Sequence, residues 1–76
     1  MKRYDLRHLK GAFDNRMVEL LNQEKDPNEV LIFLFEIGDF SAVQRSADVV
    51  KANGFELVNS LKFNEVDWTI VVNHKE

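Results

Sequence analysis

The segment from Val30 to Ile37 constrains the fold more than any other part of the chain. It is rich in β-branched and aromatic side chains, is too short for a stable helix, and lies between Pro27 and Gly38, which predicts a strand over 30–37. Successive side chains of a strand point to opposite faces. One face here carries Leu31, Phe33, Phe35 and Ile37, and the other carries Val30, Ile32 and Leu34. Both faces of this strand therefore need cover.

A helix is predicted before this strand, over about 5–25. Apolar residues recur there at steps of three or four, at Leu6, Leu9, Phe13, Met17, Leu20 and Leu21, which is the spacing of one helix face. Asp5 is a candidate N-cap, and the residue before Pro27 is driven out of the helical region. Gly11 lies inside the pattern, so the first two turns either fray or form a separate piece.

A second helix is predicted over 41–53. Ser41 and Gln44 have capping-box spacing, and Gly54 suits the left-handed residue that ends a helix. The apolar stripe of this helix consists of Phe40, Val43, Ala47 and Val50.

Two strands are predicted after it, over 55–63 and 66–73, because apolar and polar residues alternate in both segments. A two-residue turn at Asn64-Glu65 would pair Leu61 with Trp68 and Leu57 with Val72, with Phe63 on the same face. On the other face it would pair Lys62 with Asp67 and Val58 with Val71. A longer loop with slipped pairing is the alternative.

These elements predict one α+β domain over 1–76 in the order α-β-α-β-β. A strand–helix–strand unit followed by a hairpin gives half of a ferredoxin-like fold, a split βαβ with an N-terminal helix, whose three-stranded mixed sheet has the order 1-3-2. The strand at 30–37 would then form an open, apolar edge. Either the first helix covers the opposite face, or a second copy does, in a homodimer. The candidate interface residues are Val30, Ile32, Leu34, Val58 and Val71.

Charge is unevenly distributed along the chain. Residues 1–16 carry five basic and two acidic residues, while the whole chain has a net charge of −3. The basic residues Lys2, Arg3, Arg7, Lys10 and Arg16 form a candidate patch for an anionic partner. The chain has no cysteine, no apolar stretch long enough to span a membrane, and no signal-peptide pattern. We therefore expect a cytoplasmic protein that does not bind membranes.

Catalytic and ligand-binding patterns are missing from the sequence. The two histidines, His8 and His74, lie near opposite ends of the chain, and no serine has a histidine and carboxylate pattern around it. There is no glycine-rich phosphate loop and no metal-ligand spacing. We expect no enzymatic activity, no metal and no cofactor.

The order of the motifs resembles the regulator of ribonuclease activity B family, the ribonuclease E inhibitors. The similarity runs from about Arg16 to His74 and includes Arg-Met-Val-Glu-Leu-Leu from Arg16, Asp26-Pro27 before a strand, Asn-Gly-Phe-Glu-Leu from Asn53, and Asp-Trp-Thr-Ile-Val from Asp67. The resemblance implies a ferredoxin-like, intracellular bacterial protein that binds ribonuclease E and slows RNA decay, without catalytic residues.

The expected function is therefore that of a non-catalytic, protein-binding regulatory module whose partner is a protein, such as a ribonuclease, or a second copy of itself. Two alternatives remain open. One is a small RNA-binding domain that uses the basic N-terminal helix, and the other is a ligand-sensing ferredoxin-like dimer.

Overall fold

A computed structural model describes residues 1–38 and 41–74. Its elements are strand β1 (Lys2–Asp5), a 3-10 helix (Arg7–Ala12), helix α1 (Phe13–Gln23), strand β2 (Leu31–Glu36), helix α2 (Ser41–Ala52), strand β3 (Phe55–Lys62) and strand β4 (Asp67–His74).

The sheet has four strands in the order β1-β2-β4-β3. β1 runs parallel to β2, and β4 lies antiparallel between β2 and β3. The prediction of a three-stranded sheet in the order 1-3-2 is wrong, because the N-terminal residues form a strand that pairs along β2. The edge of β2, predicted to be open, is covered by β1.

The predicted helix over 5–25 is divided into three parts. Asp5 ends β1 and is not a helix N-cap; its carboxylate instead accepts a hydrogen bond from the backbone N–H of Arg7 at 3.0 Å. Lys10 has φ 50° and ψ −127°, which interrupts the helical backbone and separates the 3-10 helix from α1. The separate N-terminal piece expected from Gly11 is therefore present, preceded by a strand.

Both helices pack on the same face of the sheet. The two crossovers, β1 to β2 and β2 to β3, step in the same direction across the sheet, and such crossovers share one hand. Leu31, Phe33 and Phe35 of β2 are fully buried, while the residues between them are only half-buried. One sheet face thus meets the helices, and among the described residues no helix covers the other.

Aromatic rings hold the helical layer to the sheet. Phe13 of α1 stacks on Phe35 with ring centroids 4.4 Å apart, and Tyr4 stacks on Phe33 at 5.5 Å. The Arg45 guanidinium of α2 lies 5.1 Å from the Phe13 ring centroid. Burial of a large apolar side chain contributes about 1.5–3 kcal/mol, so this cluster is a major source of stability.

Helix α2 is rotated relative to its predicted apolar stripe. The buried residues are Ala42, Ser46 and Val50, whereas Val43 and Ala47 are only half-buried; Phe40 lies outside the described residues. The Ser46 hydroxyl donates to the carbonyl of Val43 at 2.7 Å, which satisfies a polar group that is fully buried.

The hairpin contains a β-bulge that no sequence pattern predicted. Leu57 pairs with Val72 as expected, but after an irregularity at Val58 the register slips, so that Leu61 pairs with Thr69. The predicted pairs of Leu61 with Trp68, Lys62 with Asp67 and Val58 with Val71 are wrong. A bulge inserts one residue into one strand, and the longer loop over 63–66 accommodates the slip.

Neither α1 nor α2, nor any other helix within residues 1–38 and 41–74, is long and apolar enough to cross a membrane.

Candidate protein interface

The sheet face opposite the helices, which we call the open face, carries a row of apolar side chains. Ile32 and Leu34 of β2 and Val71 of β4 are half-buried there. Together with Val30, which precedes β2 and is also half-buried, these residues were predicted as interface residues on the face away from the second helix. The first helix does not cover them, because it packs beside α2 on the opposite face.

A shallow groove of about 290 Å³ runs across the open face. Ile32, Leu34 and Thr69 form its floor, Arg3 and Asp5 of β1 lie on one side, and Phe63 lies on the other. The Thr69 hydroxyl donates to the carbonyl of Phe33 at 3.1 Å, so its hydrogen-bonding capacity is used within the sheet. The groove therefore offers mainly apolar contacts.

Large apolar side chains at the hairpin end extend this surface. Leu61 is 49% exposed, Phe63 54% and Val66 56%, and Val58 in the bulge is 52% exposed. The alternation in the sequence predicted Leu61 and Phe63 on the core side together with Leu57. The bulge moves them to the open face, because one inserted residue reverses which face each later side chain occupies.

Trp68 shows the other side of the same slip. It remains on the helical face, half-buried, and its indole Nε1 donates to the hydroxyl of Ser60 at 2.7 Å. Trp68 was predicted to be a core residue rather than a binding anchor, and this packing agrees. The periodicity of β3 alone could not reveal the change of face, since the bulge has no composition signal.

An ion-pair network fixes the groove side formed by β1. Arg7 Nη2 lies 2.7 Å from Asp5 Oδ2, and Arg7 Nη1 lies 3.3 Å from Asp67 Oδ2. Asn64 Nδ2 also donates to Asp67 Oδ2 at 2.8 Å. Hydrogen bonds from the Arg7 side chain and backbone lower the pKa of Asp5 to about 2. Asp5 and Asp67 raise the pKa of Arg7 further above its usual value. This network joins β1, the hairpin loop and β4.

The five basic residues predicted as an anionic-partner patch are not brought together as free charges. Lys2 pairs with the buried carboxylate of Glu24 at 2.7 Å, Arg7 pairs with Asp5 and Asp67, and Arg16 pairs with Glu19 at 2.8 Å. Only Arg3 and Lys10 of the five have no ion pair among the described residues. This pairing weakens the case for RNA binding through the N-terminal segment.

The aromatic rings of β2 do not form a base-stacking platform. Phe33 and Phe35 are fully buried against the helical layer, in line with the core packing expected from the sequence. Within residues 1–38 and 41–74, no three histidine, aspartate or glutamate side chains are grouped so that they could hold a metal ion. The open face remains the most extensive binding surface of the described residues.

Comparison with known proteins assigns the sequence to a family. Residues 1–74 match the family of E chains described as "putative NADH-ubiquinone oxidoreductase". The protein belongs to this family. A search of the curated proteins gave no significant match. The family match overturns the resemblance to the regulator of ribonuclease activity B family, whose motifs were individually common features of α+β domains.

A solved structure has the same fold and a closely similar sequence. The solution structure of HP1264 from Helicobacter pylori is 56% identical in sequence, and the similarity covers 100% of both chains with a TM-score of 0.68.

Proposed function

We propose that this protein is a non-catalytic, protein-binding subunit of a cytoplasmic NADH–ubiquinone oxidoreductase assembly, and that its open face docks on another subunit of that enzyme. The family description names one component of a larger enzyme, and such a component needs at least one surface for its neighbours. The observation that carries the proposal is the exposure of Leu61, Phe63 and Val66 beside the groove.

This exposure is costly unless a partner covers the surface. Burying a large apolar side chain contributes about 1.5–3 kcal/mol, and a chain of 76 residues has little stability to spare. Contiguous apolar surface on a small protein is characteristic of interaction sites. The bulge at Val58 is what creates this surface, and bulges re-aim side chains at functional places.

Electron transfer by this protein alone does not fit its residues. Iron–sulfur clusters are held by cysteine thiolates, and the sequence contains no cysteine. The donor set for such a cluster is therefore absent from the sequence. The proposed role is to bind and position other subunits.

The proposal is tested by purifying the affinity-tagged protein from its native host in mild detergent and identifying the co-purified proteins by mass spectrometry. We expect subunits of the NADH–ubiquinone oxidoreductase with the wild-type protein. The double variant Leu61→Asp, Phe63→Asp should lose them, because it places two charges on the apolar surface. The control Gln23→Glu, Gln44→Glu adds the same two charges at exposed positions of the helices and should retain them.

Two outcomes would refute the proposal. One is co-purification that both double variants retain, which would place the docking surface elsewhere. The other is a wild-type protein that recovers only itself and forms a dimer split by Leu61→Asp, Phe63→Asp. That second result would assign the open face to the homodimer predicted from the sequence.

A further inference from the structure

The outer edge of β1 is a second surface with unused binding capacity. β1 is at one end of the sheet. The backbone N–H groups of Lys2 and Leu6 donate to carbonyl oxygens of β2 and its preceding residue at 2.9 and 2.7 Å. Because backbone groups alternate in direction along a strand, those of Arg3 and Asp5 point away from β2. These two residues can offer about four hydrogen bonds to an added strand.

A cleft of about 500 Å³ lies along this edge, between β1 and α1. Tyr4 and Asp5 belong to its strand side, and Arg16 and Glu19 belong to its helix side. Leu9 and Leu20 are among its apolar lining residues, and Leu20 is only 5% exposed. A cleft between an edge strand and a helix suits an extended peptide that pairs with the strand and inserts alternate side chains beside the helix.

We propose that this cleft binds an extended acidic segment of a partner protein, which adds to β1 as a fifth strand and inserts an apolar side chain between Leu9 and Leu20. Pairing with the backbone of Arg3 and Asp5 supplies affinity for any extended chain. The apolar cleft and the surrounding charge supply selectivity.

Charge complementarity selects an acidic segment. Residues 1–20, which form β1 and most of the cleft, carry five basic and three acidic residues, an excess of two positive charges; the chain as a whole is at −3. Arg3 and Lys10 have no ion pair among the described residues, so both remain able to attract a carboxylate. A basic segment would meet Arg3 without compensation.

This edge cleft is separate from the open face, so the two surfaces can be tested independently. The open face presents side chains of β2, β3 and β4, whereas the edge cleft presents the backbone of β1 and the side of α1. Failure of the edge proposal would leave docking through the open face unaffected, and the reverse also holds.

The test uses the intact protein and a random library of twelve-residue peptides displayed on phage. We expect enriched peptides with an excess of Asp and Glu that alternate with apolar residues. One synthetic enriched peptide is then titrated into the isotope-labelled protein. Hydrogen exchange of the Arg3 and Asp5 amides should slow at least about tenfold on binding, because these two N–H groups gain partners.

Two variants separate backbone pairing from other contacts. Arg3→Pro removes an outward N–H that β2 does not use, as proline is tolerated at sheet edges, and should weaken peptide binding at least about tenfold. Its control, Arg3→Ala, keeps the N–H and should weaken binding about threefold or less. Ala12→Trp fills the cleft from an exposed position and should also abolish binding.

Several results would overturn the edge proposal. These are a library that yields no peptide binding at the cleft, a peptide that protects amides of β3 instead of β1, and equal affinities for the wild type, Arg3→Pro and Ala12→Trp. Self-association through β1 that Arg3→Pro abolishes would overturn it as well, since the occupant would then be a second copy of the protein.

Discussion

The guanidinium of Arg7 lies 3.3 Å from the carboxylate of Asp67, measured from Nη1 to Oδ2. Arg7 follows β1 and Asp67 begins β4, so the contact joins residues 60 positions apart. Asp67 is 5% exposed, and its other side-chain partner is Asn64. The contact fixes the N-terminal segment to the hairpin end, beside the groove of the open face.

We expect Arg7→Met to lower the free energy of unfolding, because it leaves the buried carboxylate of Asp67 with a single neutral side-chain donor. The matched control is Arg16→Met, which removes the pair with Glu19 on the surface of α1 and should cost less than about 0.5 kcal/mol. The loss in Arg7→Met should be at least about twice that of the control. Urea unfolding measures both. Equal losses in the two variants would mean that the Arg7–Asp67 contact has no special role.

Stability should fall in acid. Asp5 has a pKa of about 2, and the pairing of Glu24 with Lys2 lowers its pKa. Both carboxyls titrate near about pH 4 in an unfolded chain, which therefore binds protons first. Their contribution is complete above about pH 5 and is lost as the pH falls from about 4 towards 2.

Urea unfolding midpoints measured between about pH 6 and pH 2 test this dependence. The variant Asp5→Asn removes one of the two groups and should decline less steeply than the wild type below about pH 4. An identical decline would show that Asp5 does not contribute to acid sensitivity.

The same substitution at two glycines should have opposite effects. Gly54 has φ 79° and no atom within 4 Å of an added Cβ, so Gly54→Ala suffers backbone strain only. We expect it to cost about 1–2 kcal/mol. Gly11 also has open space around it and no positive φ. Gly11→Ala should therefore stabilise the protein by about 0.4–1 kcal/mol, because it restricts the unfolded state. Thermal and urea unfolding of the two variants would contradict this explanation if the effects had the same sign.

Lys10 is a strained residue whose replacement should stabilise the fold. Its φ of 50° and ψ of −127° are readily accessible to glycine but disfavoured for a side chain with a Cβ atom. Lys10→Gly should raise the free energy of unfolding by about 1 kcal/mol, since such strain costs about 1–3 kcal/mol and glycine loses more entropy on folding. Lys10→Ala keeps the strain and serves as the control. A less stable Lys10→Gly variant would show that this backbone is unstrained.

The sequence allowed prediction of the elements with strong local signals. The apolar run at 30–37, the helix over 41–53 that ends before Gly54, and two hairpin strands all correspond to observed elements. β1 was missed because its four residues are mostly charged, and it forms only where the folded chain brings it beside β2. Tertiary pairing of this kind leaves no local pattern.

The candidate interface was only partly predictable for the same reason. Ile32, Leu34 and Val71 could be assigned to one face by their alternation in the sequence. Leu61 and Phe63 could not, because the bulge at Val58 reverses their side, and its position depends on pairing with β4. Whether these residues form a docking surface stays a prediction until a partner is mapped.

Site-specific photo-crosslinking in the native host tests docking through the open face most directly. A benzophenone side chain replaces Phe63, which is of similar shape and already 54% exposed, and in a second strain it replaces the exposed Gln44 of α2. We predict that the probe at Phe63 crosslinks to another subunit of the NADH–ubiquinone oxidoreductase and that the probe at Gln44 does not. Crosslinks to that enzyme from Gln44 alone would contradict docking through the open face.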